Sequence, residues 1–116
     1  MSVEQIETVF TISPHVRRGA SLLSLDDFNL PNRQGVSNIS WRNERGYLNG
    51  CLLDIHGYIW CSCEWWSYCG KEDKFRICKH ILQSLYFLIF IHEYDFVKTI
   101  IEKYIEGEEN AEGNTS

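Results

Sequence analysis

Three cysteines and one histidine are the residues of this chain best equipped for chemistry. Cys61 and Cys63 flank Ser62, Cys78 and His80 flank Lys79, and fourteen residues rich in tryptophan separate the pairs. Thiolate sulfur and imidazole nitrogen are donors that zinc takes four at a time in a tetrahedron, with sulfur at about 2.3 Å and nitrogen at about 2.0 Å. A set closed by four side chains leaves no position for a substrate water, so such a site is structural and not catalytic. The plain alternative is a group of small core residues, because free cysteine is among the most buried residue types. That reading suits any single thiol here better than it suits two pairs, each split by one residue.

The elements on either side have to bring the pairs together. From residue 36 the pattern is that of an antiparallel meander, with strands at 36–42, 47–55 and 58–63, a turn at 43–46 and a two-residue turn at His56 and Gly57. Residues two apart on a strand share a face, so Cys61 and Cys63 are expected to present both sulfurs to one point. Residues 79 to about 92 are nearly apolar, broken by Gln83 and Ser84, which predicts a helix buried on most of its circumference. Cys78 then falls at the helix start, where the N-terminal partial charge favours a thiolate, and His80 lies in the first turn. Hairpin and helix would be stapled to each other.

The spacing leaves one ambiguity. Cys69 lies between the pairs, and an all-cysteine set of Cys61, Cys63, Cys69 and Cys78 would free His80. Cys-x-Cys followed by a variable gap and Cys-x-His resembles the SWIM zinc finger, whose members place a β-hairpin before the first pair and a helix from the second. The likeness covers residues 36–88, including an aromatic after the first pair, here Trp65 or Trp66. It implies one structural zinc on Cys61, Cys63, Cys78 and His80, with Cys69 a spare thiol. It also implies DNA and protein binding, because SWIM domains occur in transposase-related proteins and in Shu-complex recombination mediators that act with RecA-family recombinase paralogs. A chain of 116 residues has no room for a transposase domain, which favours the mediator-like adaptor.

Around this motif the sequence predicts one domain at 1–107 and a disordered acidic tail at 108–116. The fold class expected is α+β, a small antiparallel sheet followed by a zinc-stapled C-terminal helical segment. Residues 3–13 read as a strand ending at Pro14, although Ile6, Val9 and Phe10 also fit one helical face. His15, Arg17 and Arg18 make a short basic spot, Leu22, Leu23, Leu25 and Phe28 supply apolar contacts, and residues 30–35 are turn-rich. Phe96, Val97, Ile100, Ile101, Tyr104 and Ile105 repeat as an amphipathic helix that Gly107 ends, with Asp95 as N-cap. One long helix bent at residues 92–95 fits this stretch as well.

Charge narrows the functions. Residues 1–80 carry nine basic and nine acidic side chains, whereas residues 81–116 carry two and seven. A neutral body with an acidic end does not coat nucleic acid nonspecifically, since phosphate neutralisation drives that binding. A local patch is a different matter: Arg42, Arg45, Lys71, Lys74, Arg76 and Lys79 are candidate phosphate contacts. Trp65, with Trp60, Trp66 and Tyr68, could stack unpaired bases. The competing reading has these tryptophans roof the zinc site. Surplus apolar surface on 81–91 could hold a protein partner or a second copy, with core the default.

Five cysteines exclude complete internal pairing, and residues 1–7 lack the basic-then-apolar pattern of a secretory signal, so an intracellular location, cytoplasmic or in the nucleus or nucleoid, is expected. The longest apolar run, residues 85–91, is too short to span a membrane, which takes roughly 20. Cys51, His15, His56 and His92 have no evident partner and read as structural. The His-x-Glu and Pro-Cys-x-x-Cys elements of a zinc deaminase are missing, and a nucleophilic cysteine would need the histidine that serves better as a ligand. A binding module, not an enzyme, is the expectation.

Overall fold

The computed structural model describes residues 2–21, 27–29, 33–42, 45–68 and 76–114. Helices α1 (Val3–Val9) and α2 (Pro14–Ser21) precede strands β1 (Asp27–Asn29), β2 (Val36–Arg42), β3 (Leu48–Asp54) and β4 (Tyr58–Cys61). Helices α3 (Glu64–Tyr68), α4 (Lys79–Phe90) and α5 (Tyr94–Asn114) follow. The α+β class is as expected, and the strands form one antiparallel sheet in the order β1-β2-β3-β4.

Alternation along each strand gives the sheet two different faces. Ile39, Trp41, Cys51, Leu53, Ile59 and Cys61 are buried on the inner face, while Tyr58 and Trp60 are exposed on the outer one. The inner face joins Ile6 of α1, its C-cap Phe10 and the buried sides of α4 and α5 in one core. The β3–β4 connection has three residues, Ile55, His56 and Gly57, not the predicted two, because Asp54 pairs directly with Tyr58. Gly57 has φ +97°, and a Cβ there would stand 2.7 Å from the Lys103 backbone carbon of α5, so both conformation and close packing require glycine.

The N-terminal segment corrects the strand prediction. Ser2 and Gln5 form a capping box: the Ser2 hydroxyl accepts from the Gln5 amide at 3.3 Å, and the Gln5 side chain accepts from the Ser2 amide at 2.8 Å. These bonds start a helix, and Ile6 and Phe10, four apart, then face the core. Pro14 opens α2 instead of closing a strand, with the Ser13 hydroxyl accepting from the Val16 amide at 3.2 Å. Glu7 ties these helices to α4, taking two bonds from Arg17 at 3.0 Å and one from the Tyr86 hydroxyl at 2.7 Å. Residues 22–26 lie outside the described residues.

Helices α4 and α5 are separate. The Glu93 amide donates to the Leu88 carbonyl at 2.9 Å, and His92 takes φ +68°, the left-handed position that closes a helix. Glu93, whose carbonyl accepts from the Val97 amide, starts α5, so Asp95 stands in the first turn and is not the cap. The α5 backbone continues past Gly107 to Asn114, where the sequence predicted a stop and a disordered tail. A single glycine costs a helix only about 1 kcal/mol, and the glutamates and alanine beyond it are good helix formers. No helix among the described residues is long and apolar enough to cross a membrane.

Candidate metal centre

Three backbone segments deliver the donors. Cys61 is the last residue of β4 and points into the core. Cys63 lies beyond the strand, in the bend before α3, which corrects the prediction that both thiols project from one strand. Its Sγ accepts a hydrogen bond from the Trp66 amide at 3.4 Å, so a five-residue helix orients it. Cys78 is the N-cap of α4, and its Sγ accepts from the Ile81 amide at 3.4 Å, as the placement of a thiol at the helix start anticipated. His80 follows one residue into that helix.

The donor atoms of Cys61, Cys63, Cys78 and His80 all lie within 4.8 Å of one another. Sulfurs at 2.3 Å around a tetrahedral centre stand about 3.8 Å apart, so the four are near enough to hold one metal ion, and their chemistry is compatible with zinc. Two further observations fit an ion. All three cysteines are free thiols. Nδ1 of His80 is buried without a hydrogen-bond partner, a costly arrangement unless the lone pair meets a metal.

Left to protons alone, these thiols do not ionise together. Hydrogen bonding to Cys51 and then to Cys63 pushes the Cys61 thiol up, and burial pushes Cys78 up. Hydrogen bonds from Cys61 and Cys78 hold the Cys63 thiol far down. One thiolate is thus stabilised by two protonated neighbours. A cation held by these residues would take over their role and displace those protons.

The surroundings contain two residues that spacing did not reveal. The Trp41 indole stacks on the His80 imidazole, with ring centroids 4.0 Å apart and planes at 13°. Cys51 stands directly opposite Cys61 across β3 and β4. The Ser62 amide donates to the Gly50 carbonyl at 3.0 Å, which makes Cys51 and Cys61 the closely spaced, non-hydrogen-bonded kind of antiparallel pair. Both side chains are buried, so Cys51 is a core thiol, in keeping with its structural reading, and one that borders the donor cluster.

The nucleic-acid candidates are divided by the sheet. Trp66 is buried and Trp65 half-buried beside it, with ring centroids 6.5 Å apart, on the metal side. Trp60 projects from the opposite face, so no single tryptophan platform forms among them. Arg42 is exposed and donates to the Gly46 carbonyl at 2.9 Å, and Arg45 is exposed in the same turn. Arg76 and Lys79 are exposed near the start of α4. Lys71, Lys74 and Cys69 lie outside the described residues, as does most of the predicted loop after α3.

His56 bonds to Asp54 and His92 to the Tyr94 hydroxyl, local roles in keeping with their structural reading. His15 and Arg18 of α2 are closer to the metal site than the sequence suggested, because α2 and the start of α4 enclose a common cavity. Comparison of the chain with protein-family models, with curated proteins and with solved structures finds no match in any of the three.

Proposed function

We propose that the chain is a zinc-stapled binding module of SWIM type, an intracellular adaptor rather than an enzyme, which joins a RecA-family recombinase paralog to DNA in recombination or repair. The observation that carries this reading is the convergence of four donors from a strand end, a bend and a helix N-cap. Side chains fill every position of a tetrahedral zinc, so the ion holds sheet and helix together and offers substrate no place. The Cys-x-Cys and Cys-x-His pairs in this hairpin-to-helix setting supply the likeness to recombination mediators. Recognition then falls to surfaces that the staple fixes. At the α4–α5 corner Phe90 is 80% exposed and Tyr94 41%, apolar surface suited to a protein partner.

Affinity purification of the chain from its native cells, with mass spectrometry and zinc quantified in one sample, tests the reading. The expected result is one equivalent of zinc and a co-purifying recombinase-type ATPase that Phe90→Glu releases. A zinc-loaded monomer with no partner would reject it.

A second reading, direct binding of single-stranded DNA or RNA, is favoured by Tyr58 and Trp60, 57% and 44% exposed on the outer sheet face. Base stacking on such rings contributes about 1–3 kcal/mol per base. Absence of binding even at low ionic strength in a salt titration would remove it.

A further inference from the structure

Gly50 stands inside β3, and nothing in the fold calls for glycine there. Its φ is not positive, and the β2 pairing runs past it in unbroken register, opposite Ser40, so it serves neither a turn nor a bulge. A Cβ built on it would meet only the Ile39 carbonyl oxygen, at an ordinary contact distance of 3.6 Å. Among the described residues nothing comes closer, so tight packing within the chain does not account for it either. Glycine inside a strand weakens it, and where no bulge or bend explains it, it often marks the close approach of a ligand.

The missing side chain leaves a hollow of about 220 Å³ on the outer face of the sheet, lined by none of the four metal donors. Trp60 of β4 stands on one side and Asn38 and Ser40 of β2 on the other, with Gly50 and Leu52 of β3 between them. The floor is held in place, because the Gly50 amide donates to the Ser62 hydroxyl and the Gly50 carbonyl accepts from the Ser62 amide, each at 3.0 Å. A whole small-molecule site takes about 300–1,000 Å³, so this hollow is sized for one ring system. No charged side chain lines it among the described residues, so the matching group is neutral. The exposed Trp60 indole offers a stacking face, and the exposed Asn38 carboxamide offers a donor beside an acceptor. Tyr58, two residues along β4, adds a second exposed ring on the same face.

We infer that the hollow receives one unpaired base of a nucleic-acid strand, its face on the Trp60 indole and its edge on the Asn38 carboxamide. A base fits each feature: it is flat, uncharged at neutral pH, and carries a donor beside an acceptor on its pairing edge, which is free in a single strand. A neighbouring base then meets Tyr58, and the phosphates stay outside the uncharged hollow. The inference rests on the reading of the chain as a direct binder of single-stranded DNA or RNA and gives that reading a pocket for a single base. It also accounts for a glycine that the sheet itself does not need.

Fluorescence anisotropy on the zinc-loaded full chain tests it, using a short strand of thymidines and an abasic strand of equal length and charge. Stacking and the edge contact predict binding of the base-bearing strand at least about tenfold tighter. Gly50→Val fills the hollow with a good strand former and leaves Tyr58 and Trp60 in place, so most of that advantage should vanish while zinc content and Tm hold. Asn38→Ala should give a smaller loss. The same pair of strands built on ribose shows which nucleic acid is the source, tighter binding of the base-bearing member in either sugar supporting the inference. Equal affinity for base-bearing and abasic strands overturns it. Base-dependent binding that Gly50→Val leaves unchanged also overturns it, and leaves stacking on the outer face standing. No binding of any strand at low ionic strength removes the single-strand reading as well. Tryptophan quenching by a methyl glucoside where strands do not bind overturns the inference, as does a dimer that Gly50→Val dissociates, its hollow filled by Trp60 of a second copy.

Discussion

The imidazole of His80 lies flat against the indole of Trp41, 4.0 Å between ring centroids. Trp41 is 2% exposed on the inner face of β2, so a strand that supplies no donor fixes the plane of one that α4 supplies. Oriented ligands bind metal more tightly, because less freedom is lost when the ion enters. Trp41→Ala should cost about 3–5 kcal/mol of stability as a large buried side chain is lost, and should also weaken zinc binding. Thermal melts beside competition with a chelating dye separate the two effects. A lower Tm with unchanged zinc affinity would reduce Trp41 to packing alone.

Replacing Cys61 or Cys78 by Ser should abolish stoichiometric zinc and loosen the fold, since metal binding and folding share one free energy. Cys69→Ser should retain the ion, and His80→Ala should lose it. The reverse pattern in these last two variants would establish the all-cysteine set. Zinc quantification on the purified proteins gives the answer.

Cys51 faces Cys61 across the sheet, and its thiol is the leading cause that pushes the Cys61 thiol up. A neighbour that bonds to a ligand typically changes metal affinity by about 10–100-fold when removed. Cys51→Ala should weaken zinc binding within that range, and Cys51→Ser should restore part of it by providing another donor. Equal affinities for all three proteins would show the thiol to be filler.

Tyr86 donates to Glu7 at 2.7 Å, and burial first, then this bond, raises its pKa above the ordinary 10.0. The sign follows from the neutral form being favoured in the folded state. This contribution is complete below pH 10 and is lost as pH rises through the raised value. Tyr86→Phe should cost about 1 kcal/mol at neutral pH, a modest figure for a half-buried bond, and should flatten the decline in Tm above pH 10. An unchanged alkaline slope would show that α1 is held by apolar contacts alone.

The two donor pairs and the α+β order of hairpin then helix were legible in the sequence because both are local, whereas spacing left the choice between His80 and Cys69 open. Cys-x-Cys and Cys-x-His spacing, period-two alternation and an unbroken apolar run each lie within a few residues of what they specify. The helix at Val3–Val9 was legible too, in the Ser2 and Gln5 capping box, but the β-branched residues near it pointed the other way. Pairing across the hairpin was not legible. A two-residue turn would set Cys51 opposite Ser62, whereas the three-residue turn shifts the register by one and brings Cys51 to Cys61. Side chains alternate faces, so that single residue decides whether a fourth thiol borders the metal site. The Trp41 stack and the cavity between α2 and α4 join residues far apart in the chain, and only the packing of helices on the inner sheet face brings them together.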